Sequence, residues 1–342
     1  IEGFLLSWIS AFLKCRTQRV KINTSCSNPL NVNSGVPQGS VLGPTLFNIF
    51  INDLVEQILY SEIYLFADDV KIFSKNSVQL QHDLKAFIEW ANIWQLEISF
   101  DKCCVLHLGN NNPMIDYYFN DVVLRTEHIV KDLGIQVSDK LSSTPHCNYL
   151  FTKCSRISTL ISKSFLSKDI DLMLKAYKVY VLPILDYCSS VYTPHKISDI
   201  NNLERIQRKF TKKALWDKSL SYENRLQKLH LSTLEVRRIL SDLTLMYKIL
   251  HGQIQSLSGI VNIKPSNKNT RQSRKVILEI PKYRLDIMKY SFPVHISNIW
   301  NSLPINVTQS KNITDFQKSL ASVDLTPFLR GAIKSSFQPS RS

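Results

Sequence analysis

Ser34-Gly-Val-Pro-Gln-Gly-Ser-Val-Leu-Gly-Pro44 and, thirty residues further on, Tyr64-Leu-Phe-Ala-Asp-Asp-Val-Lys-Ile-Phe73 are the stretches on which the fold turns. The second reads as a β-hairpin: Ile63, Leu65 and Ala67 precede the bend, Val70 and Ile72 follow it, and Asp68 and Asp69 stand at the turn. Two carboxylates held side by side repel each other unless a cation neutralises them. Hard oxygen donors of this kind suit a divalent ion such as magnesium. The first stretch places Gly35, Gly39 and Gly43, a third of the chain's nine glycines, within nine residues. Glycine allows positive φ and close approach of backbone to a partner. Pro37 stiffens the bend, and the Gln38 amide both donates and accepts hydrogen bonds. A phosphate-cradling P-loop is excluded, because no Gly-Lys-Ser/Thr follows.

Outward from these stretches, Leu5, Trp8, Ile9, Phe12 and Leu13 recur at helical spacing and predict a helix over 3–14. Arg19–Asn23 reads as a strand. Pro44 opens a helix whose apolar face is Leu46, Ile49, Phe50 and Leu54. A further helix over 77–94 carries the stripe Leu80, Leu84, Phe87, Ile88 and Ala91. Strands near 96–108 and 115–124 complete an α+β unit, helices against an antiparallel sheet, over residues 1–125. Lys131–Val137 reads as one more turn and strand pair. Helical patterns fill most of 146–250, with Pro183 breaking the run 172–187. Lys264, Lys268, Arg271, Arg274 and Lys275 mark 264–276 as a basic linker, and Phe292, Ile296, Ile299, Trp300, Leu303 and Phe316 mark a last compact stretch over 290–320.

The chain has 342 residues, 44% of them hydrophobic, which is long and apolar enough for two or three cores. Its 42 Lys and Arg against 28 Asp and Glu leave a net charge of +14, which favours polyanionic partners. Seven cysteines form no paired framework and no zinc spacing. They suit a reducing intracellular compartment, nuclear or cytoplasmic, with thiols as small buried apolar groups. No signal peptide is legible, and no apolar run is long enough to span a bilayer. Trp8, Trp90, Trp94, Trp216 and Trp300 fall within apolar patterns and are expected in the core.

The run Ser34 to Leu54, with Gly-Val-Pro-Gln-Gly-Ser-Val-Leu-Gly-Pro at its head, and the box Phe66-Ala-Asp-Asp69 together resemble reverse transcriptases of non-LTR (LINE-type, jockey-like) retrotransposons. The resemblance implies RNA-directed DNA synthesis, with two Mg²⁺ ions, dNTPs, an RNA template and a DNA primer or target. It implies Asp68 and Asp69 as metal ligands and Gly35, Pro37, Gln38, Gly39, Phe66 and Ala67 as the template and dNTP contacts. Lys102 matches the family's downstream lysine, which assists the leaving pyrophosphate, with Ser99 and Cys103 standing where asparagine and threonine are usual. Leu133 and Gly134 match the primer-grip turn. The implied organisation is a partial palm over 1–125, a primer grip and helical thumb over 126–217, and a mainly helical region over 218–342.

The family's first catalytic aspartate is expected upstream of Ser34, where the only acidic residue is Glu2. Fingers are expected upstream as well. The chain therefore reads as an N-terminally truncated fragment whose activity alone is in question. In Asn201–Leu215, Leu203, Ile206, Phe210 and Ala214 form an apolar face, and Arg205, Arg208, Lys209, Lys212 and Lys213 crowd the other. That pattern suits a helix lying along a phosphate backbone, and equally a solvated lysine face. Two other readings stand beside the polymerase: a non-catalytic nucleic-acid-binding remnant of a mobile element, and an unrelated metal-dependent phosphotransferase. The second leaves the Gly-Val-Pro-Gln-Gly loop unexplained.

Overall fold

The computed structural model describes residues 1–165, 169–217, 219–264, 276–335 and 337–339. These divide into two units, one of residues 1–105 with 113–126, the other of residues 106–112 with 127–342.

The first unit begins with α1 (Gly3–Leu13), then β1 (Arg16–Gln18), β2 (Lys21–Ile22), β3 (Ser25–Cys26) and β4 (Leu30–Val32). After the glycine loop come α2 (Gly43–Ile51), with Pro44 in its first turn, and the short α3 (Leu54–Gln57). The hairpin β5 (Glu62–Phe66) and β6 (Asp69–Phe73) leads into α4 (Ser77–Ile93). Asn76 caps that helix by accepting the N–H groups of Val78 and Gln79, which satisfies two of its orphan donors. The unit closes with β7 (Cys104–Val105), β8 (Tyr118–Phe119), β9 (Val122–Val123) and β10 (Arg125–Thr126).

Two small cores flank α4. On one side Ile51, Leu54 and Ile58 meet Trp90 and Ala91, joined by Ile63, Leu65, Val70 and Ile72 from the hairpin. On the other, Leu84 and Ile88 pack with Tyr117, Phe119 and Leu124. The helix after the glycine loop and the inner face of the carboxylate hairpin thus share one core.

The second unit opens with the hairpin β11 (Ile129–Asp132) and β12 (Ile135–Ser138) and then turns helical. Helices α5 (Thr144–Ser164), α6 (Ile170–Tyr180), α7 (Leu182–Asp186), α8 (Ser189–Tyr192), α9 (Ile197–Leu215) and α10 (Tyr222–Lys228) surround a first core. Pro183 stands in the first turn of α7, where its missing N–H costs nothing, so the break falls just before it. Next come α11 (Leu234–Leu250), α12 (Asp286–Lys289), α13 (Phe292–Ser302), α14 (Ile305–Thr308) and α15 (Ile313–Leu320). Val236, Ile239, Leu243, Met246 and Tyr247 form a second core with Ile296, Ile299, Trp300, Leu303 and Phe316, and the core continues to Leu325 and Leu329.

The mixture of helix and strand in the first unit and the helices of the second agree with the α+β expectation, but the antiparallel sheet needs correcting. Among the described residues the strands pair only two by two, and β7 with β10 is parallel. The strands expected at 96–108 and 115–124 shrink to two-residue pieces. Asn120, at φ +53°, turns the chain straight back between β8 and β9. On α2 the buried apolar side chain is Ile51, while Ile49 is exposed. Trp90 and Trp300 are buried as expected, whereas Trp8, Trp94 and Trp216 are exposed. Trp216 follows the last residue of α9 in the left-handed conformation, which turns it off the helix's apolar face. Of the cysteines only Cys147 and Cys154 are buried, and burial pushes each thiol up to about 12. Lys268, Arg271, Arg274 and Lys275 of the basic linker lie outside the described residues. At its edge, Lys264 donates its N–H to Ile277 O beside an Ile263–Leu278 bridge.

Candidate active site and nucleic-acid face

In the carboxylate hairpin Phe66 pairs with Asp69, which leaves Ala67 and Asp68 as a two-residue loop. Ala67 has φ +52°, a conformation that glycine adopts without cost and alanine does not. A positive φ at the first loop position alone is the pattern of a type II′ hairpin turn, whose twist matches the flanking strands. The strained turn places Asp68 at the tip and Asp69 at the first position of β6, both exposed. Neither carboxylate has a hydrogen-bond or ion-pair partner among the described residues. Phe66, 62% exposed, leaves a bare aromatic face beside them.

The glycine loop is built around Ser40. Its N–H donates to Pro37 O at 3.3 Å, closing a turn over Gln38 and Gly39. Gly39 has φ +79° at the position where a type II turn requires a positive value. Ser40 Oγ also donates to Pro37 O at 2.7 Å and accepts the N–H of Gly43 at 3.0 Å. A Cβ on Gly43 would lie 2.9 Å from that oxygen, so Gly43 is fixed by space. Arg16 holds the loop's start, with Nη2 donating to Ser34 O at 3.1 Å and Gly35 O at 2.6 Å. Gln38 and Gly39 are left exposed at the corner, and Pro37 is half-buried.

Lys102 ends a single 3₁₀ turn, Phe100–Lys102, rather than a strand. It is exposed, and among the described residues no ion pair joins it to Asp68 or Asp69. Leu133 and Gly134 form the two-residue loop between β11 and β12, with φ of +42° and +90°. Two positive values define a type I′ turn, which ordinarily takes Asn-Gly. Tyr187 stabilises it by donating its hydroxyl to Leu133 O at 3.0 Å, with its ring 3.4 Å from where a Cβ on Gly134 would sit.

On α9, Leu203, Ile206, Phe210 and Ala214 are buried, and Arg205, Arg208, Lys209, Lys212 and Lys213 are all exposed. The two acids of the helix, Asp199 and Glu204, are buried. Every exposed charge on the helix is therefore positive. Asp199 accepts Thr144 Oγ1 at 2.7 Å, and Glu204 accepts the N–H of Leu234 at 2.9 Å and the Tyr222 hydroxyl. Arg205 and Lys209 lie 5.6 and 5.8 Å from the Phe151 ring centroid, and Arg208 lies 5.1 Å from that of Tyr222. Sequence reasoning missed Arg16, Ser40 and Tyr187. The Ser-x-x-Gly spacing of Ser40 and Gly43 was a usable signal, whereas nothing local ties Tyr187 to a turn more than fifty residues away.

An exposed acidic pair on a strained hairpin thus shares a core with the helix that follows a glycine turn. Residues 2–150 match the family model for reverse transcriptase (RNA-dependent DNA polymerase), so the chain carries a reverse transcriptase domain. It is similar to the RNA-directed DNA polymerase from mobile element jockey of Drosophila melanogaster, 30% identical over 222 residues, 59% of this chain and 24% of that protein. The jockey polymerase of Drosophila funebris is 30% identical over 230 residues, 61% of this chain and 25% of that protein. The probable RNA-directed DNA polymerase from transposon X-element of Drosophila melanogaster is 27% identical over 220 residues, 59% of this chain and 24% of that protein. The chain thus spans about a quarter of the length of these relatives. No solved structure matches it. No helix among the described residues is long and apolar enough to cross a membrane.

Proposed function

We propose that the chain supplies the metal-binding and product-holding parts of an RNA-directed DNA polymerase, with 1–125 as palm, 126–217 as primer grip and thumb, and 218–342 as a helical extension. The observation that carries this reading is the Asp68–Asp69 pair, exposed on a strained turn with neither carboxylate engaged by another group. Hard, uncommitted carboxylate oxygens fit magnesium, which is commonly held by one or two carboxylates together with substrate phosphates. Bound there, magnesium would lower the charge barrier to attack by a primer 3′-hydroxyl. In this reading Gln38 and Gly39, with Phe66 and Ala67, meet the templating base and incoming dNTP. Leu133 and Gly134 carry the primer end, and the cationic face of α9 follows the phosphate backbone. Lys102 assists the departing pyrophosphate. Work on nucleic acid fits a nuclear or cytoplasmic location.

A second reading has its own support. The exposed cations of α9, Arg205, Arg208, Lys209, Lys212 and Lys213, suit binding of a phosphate backbone with or without catalysis. Primer extension on an annealed RNA template, with Mg²⁺ and dNTPs, separates the two. Extension that disappears in Asp68→Ala supports the polymerase. Salt-sensitive binding to the same primer–template, with no extension by the parent chain, supports the binding protein and rejects the polymerase.

A further inference from the structure

In the second unit, α11, the loop after α8, the start of α13 and the segment around Phe328 and Arg330 enclose a pocket of about 420 Å³ including its solvent-open mouth. Its charged and titratable lining is Arg238, Arg330, His195, His295, Glu235, Asp242 and Tyr290.

The two carboxylates of this lining are engaged, whereas one of its guanidinium groups is not fully so. Glu235 accepts the backbone N–H groups of Arg330 at 2.8 Å and Gly331 at 3.0 Å. Asp242 accepts Ser190 Oγ at 2.5 Å, with Thr193 Oγ1 at 3.5 Å. Arg238 is only 4% exposed, yet its Nη2 has no hydrogen-bond partner. A buried guanidinium nitrogen left unpaired costs more than an ordinary lost hydrogen bond, because charge is involved. The Arg330 guanidinium carbon lies over the Tyr290 ring, 4.2 Å from its centroid, a contact that uses none of its N–H donors. His195 stacks on the same ring at 5.1 Å. Burial, together with the charge of Arg330, holds His195 and His295 below the usual histidine range. Each neutral ring still offers one N–H.

A cavity with two guanidinium groups in its wall, one of them buried with an unpaired nitrogen, suits an oxyanion. We propose that this pocket binds a single phosphate group, held by Arg238 and Arg330 with the imidazoles of His195 and His295 as further donors. Guanidinium forks match phosphate oxygens in pairs, which an isolated carbonyl ligand would not exploit. The group comes either from free inorganic phosphate or from the phosphorylated end of a nucleic acid. The site is independent of the polymerase reading, since it uses none of the residues placed in that reaction.

The test is calorimetric titration of the whole chain with inorganic phosphate, at ionic strength held constant with chloride. One site is expected, with a dissociation constant below about 1 mM. Arg330→Gln, which removes a half-buried group, is expected to weaken it about tenfold or more, and Arg238→Lys, which keeps the charge but loses the fork, to weaken it further. A phosphate-dependent rise in melting temperature, lost in Arg330→Gln, gives the same answer should Arg238→Lys fold poorly. Displacement of phosphate by a short 5′-phosphorylated oligonucleotide, and not by its unphosphorylated form, supports the site and names a nucleic-acid end as the source. No displacement supports the site for the free anion. Absence of binding overturns the proposal, as does binding untouched by Arg330→Gln but abolished by Lys209→Gln with Lys213→Gln.

Discussion

Ala67 shows how one residue can be badly suited to its backbone and still well placed. A methyl group at φ +52° strains the turn that lifts Asp68 clear of the hairpin. Ala67→Gly should stabilise the first unit by about 1 kcal/mol, measured by urea denaturation. Asp68→Asn should leave stability within about 0.5 kcal/mol, because the side chain is exposed and unpartnered, while abolishing metal-dependent extension. Parallel denaturation and primer-extension measurements check both halves of that expectation. Tyr187→Phe removes one hydrogen bond to Leu133 O and keeps the ring against Gly134. It should cost about 1 kcal/mol and loosen the β11–β12 turn, seen as faster amide exchange there. The residue identities of both loops were legible beforehand, since Asp-Asp between apolar strands and Lys-Asp-Leu-Gly are local signals. The tyrosine clamp was not, because it is a contact distant in sequence.

At the scale of elements, periodicity did well on α4 and α9 and missed the buried face of α2. The edges of α4 and the buried stripe of α9 both follow from spacing of 3.6 residues, and the break at Pro183 from a missing N–H. Strands fared worse. Two-residue ladders carry almost no alternation, and the β7–β10 pairing is parallel and sequence-distant, so neither length nor partner could be read. The buried acids of α9 were equally hidden: Glu204 looks like an ordinary surface glutamate until Leu234 and Tyr222 are brought to it. Their burial is what leaves the exposed face without a negative charge. Lys209→Gln or Lys213→Gln should each weaken binding to nucleic acid regardless of sequence. Each should also lower the slope of log affinity against log salt by about one, read from titrations at several salt concentrations.

For the molecule as a whole, Asp242 sets a pH dependence of unusual sign. Burial outweighs its hydrogen bond to Ser190 and the field of Arg238, and the carboxyl is pushed up to about 6. An unfolded aspartate ionises near pH 4, so between roughly pH 4 and pH 6 the unfolded chain holds fewer protons than the folded one. Stability from this group is therefore lost as pH rises through that window, by roughly 3 kcal/mol, and is level above it. Asp242→Asn should abolish this slope, so it compares more favourably with the parent at pH 7 than at pH 4 in urea titrations. Carboxyls held low, such as Asp139 beside His128, act in the opposite direction.

The tryptophans carry a last consequence. Trp90 is sealed in the first unit, with its indole N–H donated to Asp53, and Trp300 is sealed in the second, donating to Val276 O. Trp8, Trp94 and Trp216 already face water. With those three replaced by phenylalanine, the chain would hold one blue-emitting indole per unit. Each would redden only when its own surroundings melt, giving two optical clocks for the order in which the halves come apart.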